Sequence, residues 1–423
     1  MSFREVLTRR ETALYLDDVA ISELAERFGT PLYAYSRSGL IERVERLRAA
    51  FGGAPHLLAY SVKANMNLAI VRTFVEHGCG ADVTSRGELE RALRAGADPA
   101  MIVYSGVGKR ADEIDRALEV GLRMFNVESL EELALLDARA QALGKVAPIA
   151  FRLNPDVDPK THPKIATGLR STKFGIPIEE APRAYSYAKS LPNIRVIGVD
   201  CHIGSQLTSL EPFRDALARV KATVLSLHEQ GHAIEAVDIG GGLGVEYSGQ
   251  DDPPTPEAYA EMTLEVLGGL DATLVCEPGR VLTAGAGIFI MRALYRKQNA
   301  ERRFLVVDGG MNDLLRPALY QAEMRIETDP LRGSAEAPVD VVGPVCETSD
   351  RFARDRWLAE VEPGDRVVVR DAGAYGFAMA SGYNGRPLVA EVMVDGARVE
   401  LIRRRQTVEE TWQGESIPEW DRQ

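Results

Sequence analysis

The sequence is poor in the residues that staple small folds and hold metals, with four cysteines and six histidines in 423 residues. Cys79, Cys201, Cys276 and Cys346 stand far apart and form no CxxC pair, which excludes a zinc knuckle and a disulfide framework. Reduced thiols in a cytoplasmic enzyme are the reading that remains. The histidines are read as giving no metal-ligand pairing, so no metal is expected. No apolar run is long enough to span a bilayer, and the opening MSFREVLTRRETALYL has charges where a signal peptide needs an apolar core. Cationic charge is also short. Lys plus Arg number 50 against 62 Asp plus Glu, a net charge of −12. Nucleic-acid contacts need clustered Lys and Arg, so nucleic acid is not an expected partner. An anionic ligand must then be caught by local groups and not by the overall field.

What is present is a long alternation. The chain is too long for one ordinary core and suits two domains. After residue 50, short apolar runs alternate with amphipathic ones. The runs are HLLAYSV (56–62), GADVTS (80–85), IVYSG (102–106), RMFNVES (123–129), APIAFRLNP (147–155), VIGVDCHIGS (196–205), AVDIGGGLG (236–244) and ATLVCEPGR (272–280). Between the first two, Leu68, Val71, Phe74 and Val75 have the three- and four-residue spacing of one helix face. Ser129 and Glu132 have the spacing of a capping box. Eight β–α repeats in about 250 residues predict a TIM-type (β/α)8 barrel. A doubly wound open sheet is the alternative, but it normally stops at about five or six parallel strands.

Past residue 285 the texture changes. IFIMRAL, RFLVVDGG, PVDVVG, DRVVVRD, LVAEVMVDG and ARVELIR are strand-like runs with little helix between them, which predicts a C-terminal all-β barrel or sandwich domain. PLYAY, near the N-terminus, is expected to join it. The expected division is residues 36–285 as the barrel, and 1–35 plus 286–423 as the β domain. The polar tail after Arg405 is expected to fray.

In such barrels the chemistry sits at the C-terminal strand ends, and here those ends are polar. They carry Lys63, Ala64 and Asn65; Asp82 and Ser85; Arg152 and Asn154; His202 and Ser205; Gly240, Gly241 and Gly242; and Glu277 and Arg280. Each has a plain alternative. A lysine after a strand is usually a solvated surface group. If Lys63 points into the mouth, desolvation lowers its pKa and makes it a Schiff-base nucleophile. The glycine run lets backbone N–H groups approach a phosphate, or it is simply a tight turn. His202 is a buried hydrogen-bonded histidine or a ring lying on a flat cofactor. Glu277 is a salt-bridge partner of Arg280 or the group that holds a ring nitrogen protonated.

The ordered set YSVKAN around Lys63, HIGSQ around His202, GGGLG at 240–244, EPGR at 277–280, GPVCETSD at 343–350 and DAGAYGFAMASGYNGRP at 371–387 resembles the diaminopimelate decarboxylase family. That family belongs to the barrel-type, fold type III (alanine-racemase-like) pyridoxal-phosphate decarboxylases. NPDVDPKTHPKIATGL and KFGI resemble it too, and the likeness runs from about the first strand to about residue 395. The resemblance implies that Lys63 carries pyridoxal 5'-phosphate, that His202 stacks on its ring, and that Glu277 pairs with the ring nitrogen. Gly240, Gly241, Gly242 and Ser205 would hold the phosphate, and Tyr375 would reach the cofactor. Arg280, Arg316 and Tyr320 would bind substrate carboxylate, and Glu347 the distal ammonium. Cys346 would donate the proton after loss of carbon dioxide. In the family Cys346 and Glu347 reach into a partner subunit's site, so a homodimer with shared active sites is implied.

The implied activity is decarboxylation of meso-2,6-diaminopimelate to L-lysine, the last step of lysine biosynthesis. Two arginines suit a substrate with two carboxylates, since Arg grips carboxylate bidentately. Arg316 and Tyr320, four residues apart after the helix-starting Pro317, share a face if the segment is helical. The plain alternatives are a surface cation for Arg316 and a small core residue for Cys346. Rival readings are a related decarboxylase acting on carboxynorspermidine or a carrier-bound substrate, and a non-catalytic cofactor-binding regulator. The joint presence of Lys63, Glu277 and Cys346 argues against the latter.

Overall fold

The protein is described by a computed structural model covering residues 3–159, 161–169, 171–334 and 337–421. Two compact units divide it: Met1–Arg4 with Ser38–Ala284, and Glu5–Arg37 with Gly285–Gln423.

The first unit is a closed parallel barrel of eight strands: His56–Ser61, Gly80–Val83, Ile102–Tyr104, Met124–Val127, Ala147–Asn154, Ile194–Asp200, Ala236–Asp238 and Thr273–Cys276. The last strand closes on the first, with Leu274, Val275 and Cys276 opposite His56, Leu57 and Leu58. Buried on both faces, such strands read as apolar runs. Leu57, Ala59, Val103, Met124, Ala150, Ile197, Ala236 and Val275 form one buried cluster. The predicted barrel is therefore the observed fold, with shorter strands than the sequence runs suggest. The sixth ladder stops at Asp200, so His202 and Ser205 belong to the loop beyond it.

Local chemistry fixes the helices. Asn67 caps Leu68–Glu76 by accepting the Ala69 N–H. That helix buries Ile70, Val71 and Phe74, while the expected Leu68 and Val75 flank this face half-buried. Ser129 caps Leu130–Leu143 through the Glu132 N–H. Glu132 does not complete the expected box, because its carboxylate instead accepts from the Glu128 N–H and from Lys109. Among the described residues no helix is long and apolar enough to cross a membrane.

The second unit is β-rich. The twelve-residue strand Gly287–Gln298 is its spine, pairing antiparallel with Leu32–Ser36, Arg303–Val307 and Arg366–Val369. The PLYAY segment thus contributes a strand, and Leu32–Ser36 also pairs with Ala390–Asp395. Ile326–Asp329 and Arg351–Arg356 add strands that the sequence reading did not contain. Of the tail expected to fray, Gln406 is held to Leu388 by two hydrogen bonds and the described residues beyond it are largely exposed. Arg405 donates to the Pro31 carbonyl, and Arg404 pairs with Glu410.

Candidate active site

Lys63 stands in a single 3-10 turn, Val62–Ala64, directly after the first barrel strand. Its half-buried amine donates to Asp82 Oδ2 at 2.8 Å, while Asp82 itself is fully buried. The Ser61 hydroxyl donates to the same oxygen at 2.7 Å. Lys63 is therefore an oriented amine at the barrel's C-terminal end and not a loose surface cation.

Glu277, buried after the eighth strand, does not pair with Arg280. Its Oε1 accepts the Ser105 hydroxyl at 3.1 Å and the Asn126 amide at 3.3 Å. Burial, then the nearby Asp82 charge, raises its carboxyl to about 7, with Lys63 and Arg152 opposing. Asp200 and Asp238 lie beside it, with carboxylate oxygens of all three within 4.8 Å of one another. Burial, and next the Glu277 charge, raises both well above the ordinary carboxylate range. Arg152, the buried cation here, is committed to Glu128 at 3.0 Å and to the His202 carbonyl.

The His202 ring accepts the Gly241 N–H at Nδ1, at 3.2 Å. Burial, followed by the charges of Arg152 and Lys63, holds this imidazole well below its usual pKa, so it is neutral. The glycine run is required by the protein itself. A Cβ on Gly241 would fall onto the Glu277 carbonyl, and one on Gly242 onto the Gly204 carbonyl. Gly240 and Gly242 also have φ of +63° and +111°, a region that favours glycine. Arg280, buried, donates to Ser205 Oγ at 2.9 Å and to the Tyr247 hydroxyl at 2.9 Å. Ser85 is a helix cap, accepting the Glu88 N–H. Asn154 donates to the Leu169 and Phe174 carbonyls.

The other predicted residues belong to the second unit. Arg316 is buried and starts the helical turn Arg316–Tyr320, with its guanidinium 5.9 Å from the Tyr320 ring, so the two do share a face. Cys346 is exposed, and its N–H donates to Asn384 Oδ1 at 3.0 Å. Glu347 accepts from Tyr383 at 2.7 Å and Ser349 at 2.8 Å. The Tyr383 and Ser349 hydrogen bonds hold its carboxyl below the usual range. Tyr375 is half-buried with φ +54°, uncommon for an aromatic and typical of functional loops.

One feature runs against the metal-free reading. His228-Glu229-Gln230-Gly231-His232 has HExxH spacing, which on a helix sets two histidines on one face. Here the helix ends at Glu229 and Gly231 turns at φ +77°, so His232 leaves the helical register. The Asp200, Asp238 and Glu277 group is close enough to ligate a cation. However, both Asp238 oxygens and Glu277 Oε1 already face N–H or O–H donors.

Residues 37–284 match the family model described as pyridoxal-dependent decarboxylase, pyridoxal binding domain. The chain is 50% identical over 413 residues to the diaminopimelate decarboxylase of Pseudomonas aeruginosa, covering 98% of this chain and 99% of that one. The chain belongs to the diaminopimelate decarboxylase family. Among solved members of that family, the M. jannaschii enzyme in co-complex with L-lysine superposes with TM-score 0.94 at 38% identity, covering 99% of each chain. The Helicobacter pylori enzyme complexed with L-lysine gives 0.90 at 42%, covering 93% of this chain and 98% of that one. Members of this decarboxylase family are carboxy-lyases that use pyridoxal phosphate.

The residues present fit that cofactor. Among the described residues the buried Glu277 side chain accepts only from the neutral donors Ser105 and Asn126, so a protonated ring nitrogen fits as the charged partner. Asp82 Oδ1 and Asp200 Oδ1 are buried acceptors without a partner among the described residues. The surroundings thus carry a surplus of carboxylate that a cation relieves. Ser105, Asn126 and Asp238, which surround the Glu277 carboxyl, were not singled out by the sequence reading. The available signal was a polar residue inside an otherwise apolar barrel strand.

Proposed function

We propose that this protein decarboxylates meso-2,6-diaminopimelate to L-lysine and carbon dioxide, closing lysine biosynthesis. The observation that carries this reading is the presence, at one barrel end, of an oriented amine, Lys63, and a buried carboxylate, Glu277, that no cation among the described residues pairs with directly. It is supported by the identity to enzymes of that name over nearly the whole chain, and by relatives crystallised with L-lysine.

When bound, the cofactor supplies a carbonyl that captures amines and a ring that accepts the electron pair left by departing carbon dioxide. Lys63 would hold it through its amine, which Asp82 orients. Glu277 keeps a proton at the ring nitrogen, since a facing carboxylate favours the protonated form. His202, held neutral by burial, would be the ring set against the cofactor. The glycine run would hold the phosphate with Ser205 through the Gly242 N–H, because the Gly240 and Gly241 N–H groups are given to Asp238 and His202, and Tyr375 would contact the cofactor. Arg280, Arg316 and Tyr320 grip the substrate carboxylates. Glu347, held ionised by Tyr383 and Ser349, receives the distal ammonium. The Cys346 thiol would supply the proton that Cα takes up once carbon dioxide has left.

The same reading has the protein acting as a homodimer, with Cys346 and Glu347 completing the partner's site, and working in the cytoplasm without nucleic-acid or membrane partners. The four free thiols and the net charge of −12 support it. The test is product identification. Protein loaded with pyridoxal phosphate should convert meso-diaminopimelate to L-lysine and carbon dioxide in equal amounts. Lysine formation without carbon dioxide release, or neither, contradicts it.

A further inference from the structure

Asn126 is fully buried at the third residue of the fourth barrel strand. Its amide nitrogen lies 3.3 Å from Glu277 Oε1, 3.2 Å from Asp238 Oδ2 and 3.2 Å from Ser105 Oγ. Ser105 uses its own hydrogen on Glu277. One neutral amide therefore stands between two buried acids. The amide nitrogen is the atom turned to all three acceptors, and the Asn126 Oδ1 is a buried acceptor without a partner among the described residues. The backbone of Asn126 is clamped as well. Its carbonyl accepts from the Lys109 ammonium at 2.7 Å, and Lys109 is buried against Glu132 at 2.7 Å. A residue placed to fill space needs neither restraint.

We propose that Asn126 is a positioning residue for Glu277, its amide N–H groups shared among Glu277, Asp238 and Ser105 so that Glu277 presents a fixed, ionised carboxylate to the cofactor ring nitrogen. Two neighbouring carboxylates otherwise repel or share a proton, and a protonated Glu277 no longer favours a protonated ring. The inference rests on the reading above that Glu277 faces that nitrogen.

The test uses binding, not turnover. Cofactor-free wild type and Asn126→Ala are titrated with pyridoxal phosphate and with its 1-deaza analogue, in which CH replaces the ring nitrogen. Wild type should prefer the natural cofactor. Asn126→Ala should cut that preference by about tenfold, the scale of a hydrogen bond to a charged group, while binding the analogue as wild type does. Asn126→Ser, which can serve one acid but not both, should fall between and carries the test if the alanine variant does not fold. Equal weakening toward both ligands, or an unchanged preference, overturns the inference. No preference in the wild type overturns the Glu277 reading and the inference together.

Discussion

The Lys63 amine donates to Asp82 Oδ2 at 2.8 Å, and Ser61 reinforces the same oxygen. An amine held by a buried carboxylate at a barrel mouth has one defined direction in which to react. Borohydride reduction of the holoprotein should fix the cofactor on Lys63, as read by peptide mass mapping. Lys109, enclosed by Gly106, Asn126 and Glu132, should stay unlabelled, as should Lys173. Lys63→Ala should lose roughly a thousandfold or more in turnover. A label on Lys109 or Lys173 contradicts the assignment.

The buried acids set a pH dependence in the cofactor-free protein. The Glu277 carboxyl is raised by burial from 4.5 to about 7. A raised carboxyl makes the folded state the better proton binder, so its contribution is complete below about pH 4.5 and is lost as pH rises through about 7. His202, lowered by burial, works in the opposite sense, which makes comparison with a variant the clean measurement. The Tm of cofactor-free Glu277→Gln, minus that of wild type, should grow by a few degrees between about pH 5 and pH 8. A difference that is flat or shrinks with pH contradicts the raised carboxyl.

Arg316 is buried and stacked toward Tyr320. Arg316→Ala should cost about 2–5 kcal/mol in kcat/KM for diaminopimelate, the scale for truncating one partner of a buried charge pair, without changing the bound cofactor's absorbance. Retained kcat/KM contradicts the carboxylate role. Arg152 is then a poor substitute, because Glu128 already holds it. Arg170, the other alternative, lies outside the described residues.

Shared sites predict complementation. Lys63→Ala and Cys346→Ala proteins, each nearly inactive, are mixed under conditions that exchange subunits. Random exchange makes about half the dimers mixed, each with one intact composite site, so activity should climb to about a quarter of wild type. No recovery despite verified exchange contradicts the composite site.

Much of the barrel was legible in the sequence, because strands buried on both faces read as apolar runs with polar ends. The runs overreached where loop residues stay apolar, so VIGVDCHIGS (196–205) reads as one strand although its ladder ends at Asp200. In the β-rich unit, RFARDR was missed because four of its six residues are charged and only Phe352 and Ala353 are buried. The motif residues around the amine and the glycine run were visible, since loops at strand ends concentrate unusual residues. The Ser105–Asn126–Asp238 support was not, because each polar atom finds its partner only after eight strands close into a ring. The sequence reading passed over the HExxH spacing of HEQGH at 228–232, and the helix end at Glu229 removes the geometry such a motif needs.

The central claim is tested most directly by competition. Holoprotein is offered equimolar meso-diaminopimelate, L-lysine, ornithine, arginine and carboxynorspermidine, and the consumption of each is followed along with carbon dioxide release. The account predicts that meso-diaminopimelate alone is consumed, with L-lysine accumulating mole for mole. Preferential loss of any other amine, or no carbon dioxide with the cofactor bound on Lys63, would contradict it.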